Sequence, residues 1–298
     1  MAYDTYVNIK SAVLEKIGIT DTDVETVVKQ ALNDVLQEIC QAHNFSWLYG
    51  DSSFITVKPY TVGTVKVEEG SETVTGTDTV WIAGMVGRKF YCGNATYEIS
   101  AVTTTPSMTL TLSTAYTGDD DDSATYKIYQ DEYSLAADVE DVLAVRQENY
   151  PQKLAKRGIE EMDRYWPQRN SFGYPSMYSI VGYDSTDYIK IAVYPIPNQA
   201  RNIYYRYKKR VTEMSADEST PIVPLRYRWV LAKGALYIVA KYLDMPDIGK
   251  DFEREYRTGI AQLIKADEKR DERLVKGQGL DNDNQGNFIG SNYPLSPL

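Results

Sequence analysis

The sequence predicts an α+β protein: a helical core with an antiparallel sheet, a C-terminal helical hairpin and an inserted small β-barrel or sandwich domain. Three observations carry this. Residues 24–40 repeat apolar side chains at helical spacing, residues 54–129 change to short β-branched and aromatic runs broken by Gly, Pro and Asp, and residues 221–276 return to helical periodicity. At 298 residues, with 43% hydrophobic and 25% charged, the chain can bury a real core in one large domain or two modest ones, and global disorder is excluded.

The helical core is expected over 1–53 and 132–276. Tyr6, Ile9, Val13 and Ile17 make the first apolar stripe, which Gly18 ends. The second helix opens on Thr22-Asp23-Val24-Glu25, which reads as a capping box, and carries Val24, Val28, Ala31, Leu32, Val35, Leu36 and Ile39 on one face. In the inserted β-domain, 54–131, six strands are expected at Thr64–Val67, Glu72–Thr75, Arg88–Tyr91, Thr96–Val102, Met108–Leu112 and Ala124–Tyr129. The core resumes with a short strand at Val142–Arg146 and a helix over Gln152–Tyr165 that Trp166-Pro167 stops. Tyr178–Tyr183, Tyr188–Tyr194 and Ile203–Arg210 then read as a three-stranded antiparallel sheet, with Pro195-Ile196-Pro197-Asn198 turning between the last two.

In the C-terminal hairpin, Val230, Leu236, Ala240 and Leu243 populate one helix, and Asp244-Met245-Pro246-Asp247 interrupts it. The second helix carries Phe252, Tyr256, Ile260, Leu263 and Ile264, then ends in the charged run Lys265–Lys276. Residues 277–298, rich in Gly, Asn, Asp and Pro without periodicity, read as an extended tail. Phe288, Ile289, Tyr293, Leu295 and Leu298 are spaced along that tail like anchors.

Composition narrows the function. Residues 1–131 hold 18 acids and 8 bases, while 132–220 hold 13 and 12 and 221–298 hold 11 and 12, so the net charge of −10 sits in the first half. That balance argues against sequence-independent grip on nucleic acid, which needs basic surface to replace counterions. Cys40 and Cys92 form no ligand cluster or disulfide framework, as expected of a protein maturing in reducing cytoplasm. The N-terminus does not read as a secretion signal, and the longest apolar stretch, Gly234–Ala240 between Lys233 and Lys241, is too short to span a bilayer.

Catalytic chemistry finds few residues. The sole histidine, His43, lies at a helix end, where the ordinary role is to neutralise the helix dipole. There is no GxSxG, HExxH, P-loop or GxGxxG, and Gly84-Met85-Val86-Gly87-Arg88 reads as a turn. The run Asp119, Asp120, Asp121 and Asp122 is a weak metal candidate: it offers carboxylates to a hard cation but lacks EF-hand spacing, and a solvated hairpin loop is the simpler reading. No enzyme activity and no cofactor are expected. The 25 tyrosines suit half-buried surfaces that meet another protein or a sugar, and equally the outer faces of ordinary sheets. Trp81 and Tyr91 read as core residues or as candidates for an inter-subunit or tail interface, with a sugar platform as the less favoured reading.

Several features together resemble the head-to-tail adaptor (head-completion or connector) proteins of tailed bacteriophages. They are the helix closing on Ala42-His43-Asn44-Phe45-Ser46-Trp47-Leu48, the segments 63–65, 71–76, 87–90 and 124–135 of the β-domain, and the strand Ile189–Tyr194 running into Pro195-Ile196-Pro197. To these the C-terminal helices add Tyr227, Gly234-Ala235-Leu236-Tyr237, Phe252, Tyr256, Gly259 and Ile260. The resemblance implies a structural virion protein at the head–tail junction, assembled in the host cytoplasm as a ring, usually of twelve copies, beneath the portal. Its implied partners are further copies of itself, the portal protein, and a tail or nozzle protein, with packaged DNA passing through unbound and no membrane involved. It makes the portal the expected partner of Lys276 and the tail residues Phe288, Ile289, Tyr293, Leu295 and Leu298. The alternative is a receptor- or carbohydrate-binding virion protein that uses the β-domain.

Overall fold

The computed structural model describes residues 3–19, 21–104, 107–149, 152–167 and 171–277, with side chains through Glu268 in the last helix. In chain order the elements are α1 (Tyr6–Ile17), α2 (Thr22–Ala42), β1 (Tyr49–Ile55), β2 (Thr64–Val67), β3 (Thr73–Thr77), β4 (Lys89–Cys92), β5 (Ala95–Thr103), β6 (Thr109–Leu112), β7 (Asp121–Ala124) and β8 (Lys127–Tyr129). They continue as β9 (Glu132–Ser134), β10 (Val139–Gln147), β11 (Ala155–Lys156), α3 (Ile159–Tyr165), β12 (Phe172–Gly173), β13 (Met177–Tyr183), β14 (Ile189–Tyr194), β15 (Ile196–Pro197), β16 (Asn202–Lys209), α4 (Trp229–Tyr242) and α5 (Pro246–Gly277). This is a mixed α+β protein with antiparallel sheets, one of them curled into a half-barrel, and C-terminal helices. The described residues of 1–48 and 211–298 form one compact unit and those of 49–210 another.

The first unit is helical. Gly18 ends α1 in the left-handed region at φ 75°, and its N–H returns to the Leu14 carbonyl at 2.9 Å. The cap of α2 is Asp21, whose carboxylate accepts the Asp23 N–H, and Thr22 is already helical. The N-cap therefore lies one residue earlier than expected, because an aspartate precedes the threonine and caps better, and Val24 at the third helical position completes no capping box. Glu25 turns to Lys10 at 3.2 Å and Lys29 at 2.9 Å instead of reaching back to the cap. Val28, Leu32, Val35 and Ile39 of α2 share a core with Val230, Leu231, Ala235 and Val239 of α4 and with Tyr256 and Leu263 of α5. Asn33 brackets Met214 with two hydrogen bonds (2.8 and 3.2 Å), which fixes the strap that leads into α4 against α2.

The second unit holds four sheets. The order β1-β16-β10 is antiparallel throughout, and β11-β13-β14-β9 has only β11 parallel to its neighbour. The expected sheet of 178–183, 188–194 and 203–210 is thus split. β13 and β14 pair as foreseen, but Ile196–Pro197 runs as β15 parallel to β12 instead of making a hairpin turn, and β16 crosses to pair with β1 and β10. The expected helix over 152–165 shortens to α3. Residues 154–157 give their N–H groups to Val145, Ser176 and Tyr178 carbonyls, and this sheet pairing takes the backbone that a helix would use.

The half-barrel has the order β7-β2-β3-β6-β5-β4-β8. Flat, seven strands would hold their edges about 29 Å apart. Yet β7 and β8 are joined by only Thr125 and Tyr126, a reach of at most about 11 Å. The sheet must curl, and this is why the single strand expected over 124–129 is broken into two at opposite edges. Val65, Val74, Phe90, Ile99, Leu110 and Leu112 fill the concave side around Trp81.

Candidate assembly surfaces

His43 follows the last turn of α2, its ring edge-on to Phe45 at 5.0 Å, and Phe45 stacks on Trp47 at 4.1 Å. The histidine therefore heads an aromatic stack. Among the described residues no three His, Cys, Asp or Glu side chains are grouped to hold a metal ion. Cys40 and Cys92 are buried, and burial pushes the Cys92 thiol pKa up, away from reactivity. All four aspartates of the acidic run are exposed, with Asp119 and Asp120 ahead of β7 and Asp121 and Asp122 opening it. Asp120 accepts the Glu69 N–H at 2.6 Å, Asp121 caps Ser123 at 2.8 Å, and Asp122 pairs with Lys66 at 3.1 Å. No helix among the described residues is long and apolar enough to cross a membrane.

Of the two roles open to Trp81, core and interface, the structure gives it the core one. It is 1% exposed, and its Nε1–H donates to the Tyr126 hydroxyl at 3.0 Å inside the half-barrel. Its indole has the largest apolar area available to fill the concave side of the curled sheet. Tyr91 on β4 is half-buried and donates to Asn94 at 3.2 Å. The Lys276 side chain and Phe288, Ile289, Tyr293, Leu295 and Leu298 lie outside what the structure describes.

The surface that sequence reasoning missed lies beside Trp81. Val80 is 68% exposed and Ile82 54%, with Val86 and Val62 also exposed. Two tyrosines hold these segments: Tyr60 accepts the Val80 N–H at 2.7 Å, and Tyr126 donates to the Val62 carbonyl at 2.6 Å. Burial pushes the Tyr126 phenol up, so it stays a donor. The signal was present in Thr79–Gly87, nine residues without a charge. In that stretch Trp81 and Met85 turn inward while Val80, Ile82 and Val86 turn out. A second exposed surface is the outer face of β1-β16-β10, where Arg206 bonds Asp51 at 2.9 Å and the Arg146 guanidinium lies 4.6 Å over Tyr204. Among the described residues eleven tyrosines are buried, so much of the tyrosine excess serves internal packing.

No curated protein matches the chain. A family model described as SU10 adaptor protein matches residues 99–277, from within β5 of the half-barrel to the end of α5. That match covers more than half of the sequence and takes in part of the segments that carry the phage-adaptor resemblance, 124–135, 189–197 and the C-terminal helices, so the chain belongs to the SU10 adaptor protein family.

Proposed function

We propose that the protein is a head-to-tail adaptor that forms a ring beneath the portal and joins the DNA-filled head to the tail. The family match over residues 99–277 carries this reading. In it, residues 1–53 and 132–276 act as the adaptor core, 54–131 as an inserted module, and 277–298 as the segment that docks the portal through Phe288, Ile289, Tyr293, Leu295 and Leu298, delivered there by the helix end at Lys276. Apolar anchors spaced along a polar segment allow it to trade conformational entropy for buried area when it wraps a partner.

A ring places two different faces of each copy in contact. The uncharged surface around Val80 and Ile82, with Tyr91 on the same half-barrel, suits such a contact or one to a tail or nozzle protein. The copy number, twelve, rests on the resemblance. The excess of acids over bases suits a channel through which DNA passes without being gripped, with acidic groups lining the lumen. A sugar platform loses one of its two aromatic candidates, since Trp81 is internal.

Electron microscopy of the purified chain, with and without portal particles, tests the reading. Rings at the portal vertex are expected, and a chain that never associates with portal would refute it. Deleting residues 277–298 should abolish attachment, and unchanged attachment would remove the docking role from the tail.

A further inference from the structure

Between α2, α4 and α5 lies a cleft of ≈ 360 Å³. Val35, Ile238 and Ile260 form its apolar wall, and Glu38, Glu253 and Tyr256 supply its polar groups. Tyr256 is 4% exposed, yet its hydroxyl has no hydrogen-bond partner among the described residues. Burial first, and then the nearby Glu38 carboxylate, hold the phenol protonated, while the Tyr256–Glu38 approach falls short of hydrogen-bond geometry. A buried polar atom left without a partner is uncommon and asks for a ligand or a reason. Glu38 itself is solvent-facing and makes no ion pair among the described residues. Arg257 engages Glu253 through Oε1, so the cleft carries two carboxylates against one guanidinium.

We propose that this cleft binds an alkyl cation, a primary ammonium or guanidinium carried on an aliphatic stem. The stem lies along Val35, Ile238 and Ile260, as long basic side chains lie on apolar surface. The charged head donates to Glu38 and to the Tyr256 oxygen, with the Tyr237 ring beside it for a cation–π contact. An anion would meet the unpaired Glu38. A purely apolar occupant would leave the Tyr256 hydroxyl unsatisfied. The cation can come from a lysine or arginine of a neighbouring copy or from a free small amine, and the chemistry of the cleft is the same for both.

The test is titration of the full chain, with isotope-labelled tyrosine, by n-butylguanidinium and n-butylammonium chloride, using n-butanol and sodium butyrate as controls with the same stem. Both cations should shift the Tyr256 and Tyr237 resonances saturably, with a dissociation constant of about 1–10 mM, and the controls should not. Glu38→Gln should weaken binding at least about fivefold, since it removes the charge from the hydrogen bond. Tyr256→Phe should weaken binding while leaving the thermal midpoint unchanged or raised, because an unpartnered hydroxyl has no bond to lose. Butanol binding as well as the cations, absence of saturation, or a Tyr256→Phe variant that is destabilised but still binds would each overturn the proposal. Sedimentation separates the sources. If a neighbouring copy supplies the cation, butylguanidinium and Glu38→Gln will both shift the chain to smaller species, whereas unchanged sedimentation with binding intact identifies a free cation.

Discussion

Asp267 is a carboxylate on α5 left only 5% exposed, and both of its oxygens are in use: Oδ2 accepts the Ser46 N–H at 2.9 Å and Oδ1 the Ser46 hydroxyl at 2.7 Å. Together they tie the turn after α2 to the last helix. Asp267→Ala should therefore lower stability by about 2–3 kcal/mol, because a charge-assisted pair is lost and two donors are left buried. Ser46→Ala should cost about 1 kcal/mol, since the backbone bond survives. Urea unfolding of the two variants checks the ordering, and equal losses would refute it. The sequence flagged residue 267 only as part of a charged run, because nothing local distinguishes an aspartate that meets a serine 221 positions away. Core and interface roles for Trp81 could not be told apart for the same reason: only the fold shows that its neighbours Val80 and Ile82 are the exposed ones.

Helix packing sets the next scale. A Cβ on Gly234 would lie 2.6 Å from Val35 and 2.8 Å from the Tyr256 ring, so α4 approaches α2 and α5 more closely than any side chain permits. Alanine at that position gains about 1 kcal/mol of helix propensity but must displace side chains on two helices, at about 1–3 kcal/mol. Gly234→Ala should thus be net destabilising. Gly249→Ala, whose Cβ would meet Ala240 at an ordinary 3.6 Å, should be neutral or stabilising. Thermal midpoints that move in the same direction for both would contradict this packing. The helices themselves were legible, because apolar spacing in α1, α2, α4 and α5 is a local signal. β1 was not: after Tyr49, Gly50-Asp51-Ser52-Ser53 has no strand-favouring residue, and it is a strand because Lys208 to Asn202 pair with it along its whole length. Gly50 fits there because a Cβ would stand 2.8 Å from the Tyr207 ring.

For the whole molecule, the buried tyrosines set the response to alkali. Burial pushes the phenols of Tyr116, Tyr133 and Tyr207 from 10.0 up to about 12, with neighbouring Cys92 adding to the first and the Asp138 carboxylate to the last. The folded chain therefore holds these protons more tightly than the unfolded chain does. Their contribution is complete below pH 10 and is lost as the pH rises from about 10 through about 12. Denaturation midpoints should fall across that window, together with ionisation of tyrosine absorbance, and a flat profile would contradict the assignment. Local composition and periodicity suffice for the mixed α+β class, the long helices, most strands of the half-barrel and the concentration of acids in the first half, since each is a property of neighbouring residues. The curl of the sheet, the crossing of β16 to β1, the burial of Trp81 and the unpartnered hydroxyl of Tyr256 depend on which distant segments meet. That is settled by packing and hydrogen-bond pairing across more than a hundred residues of chain.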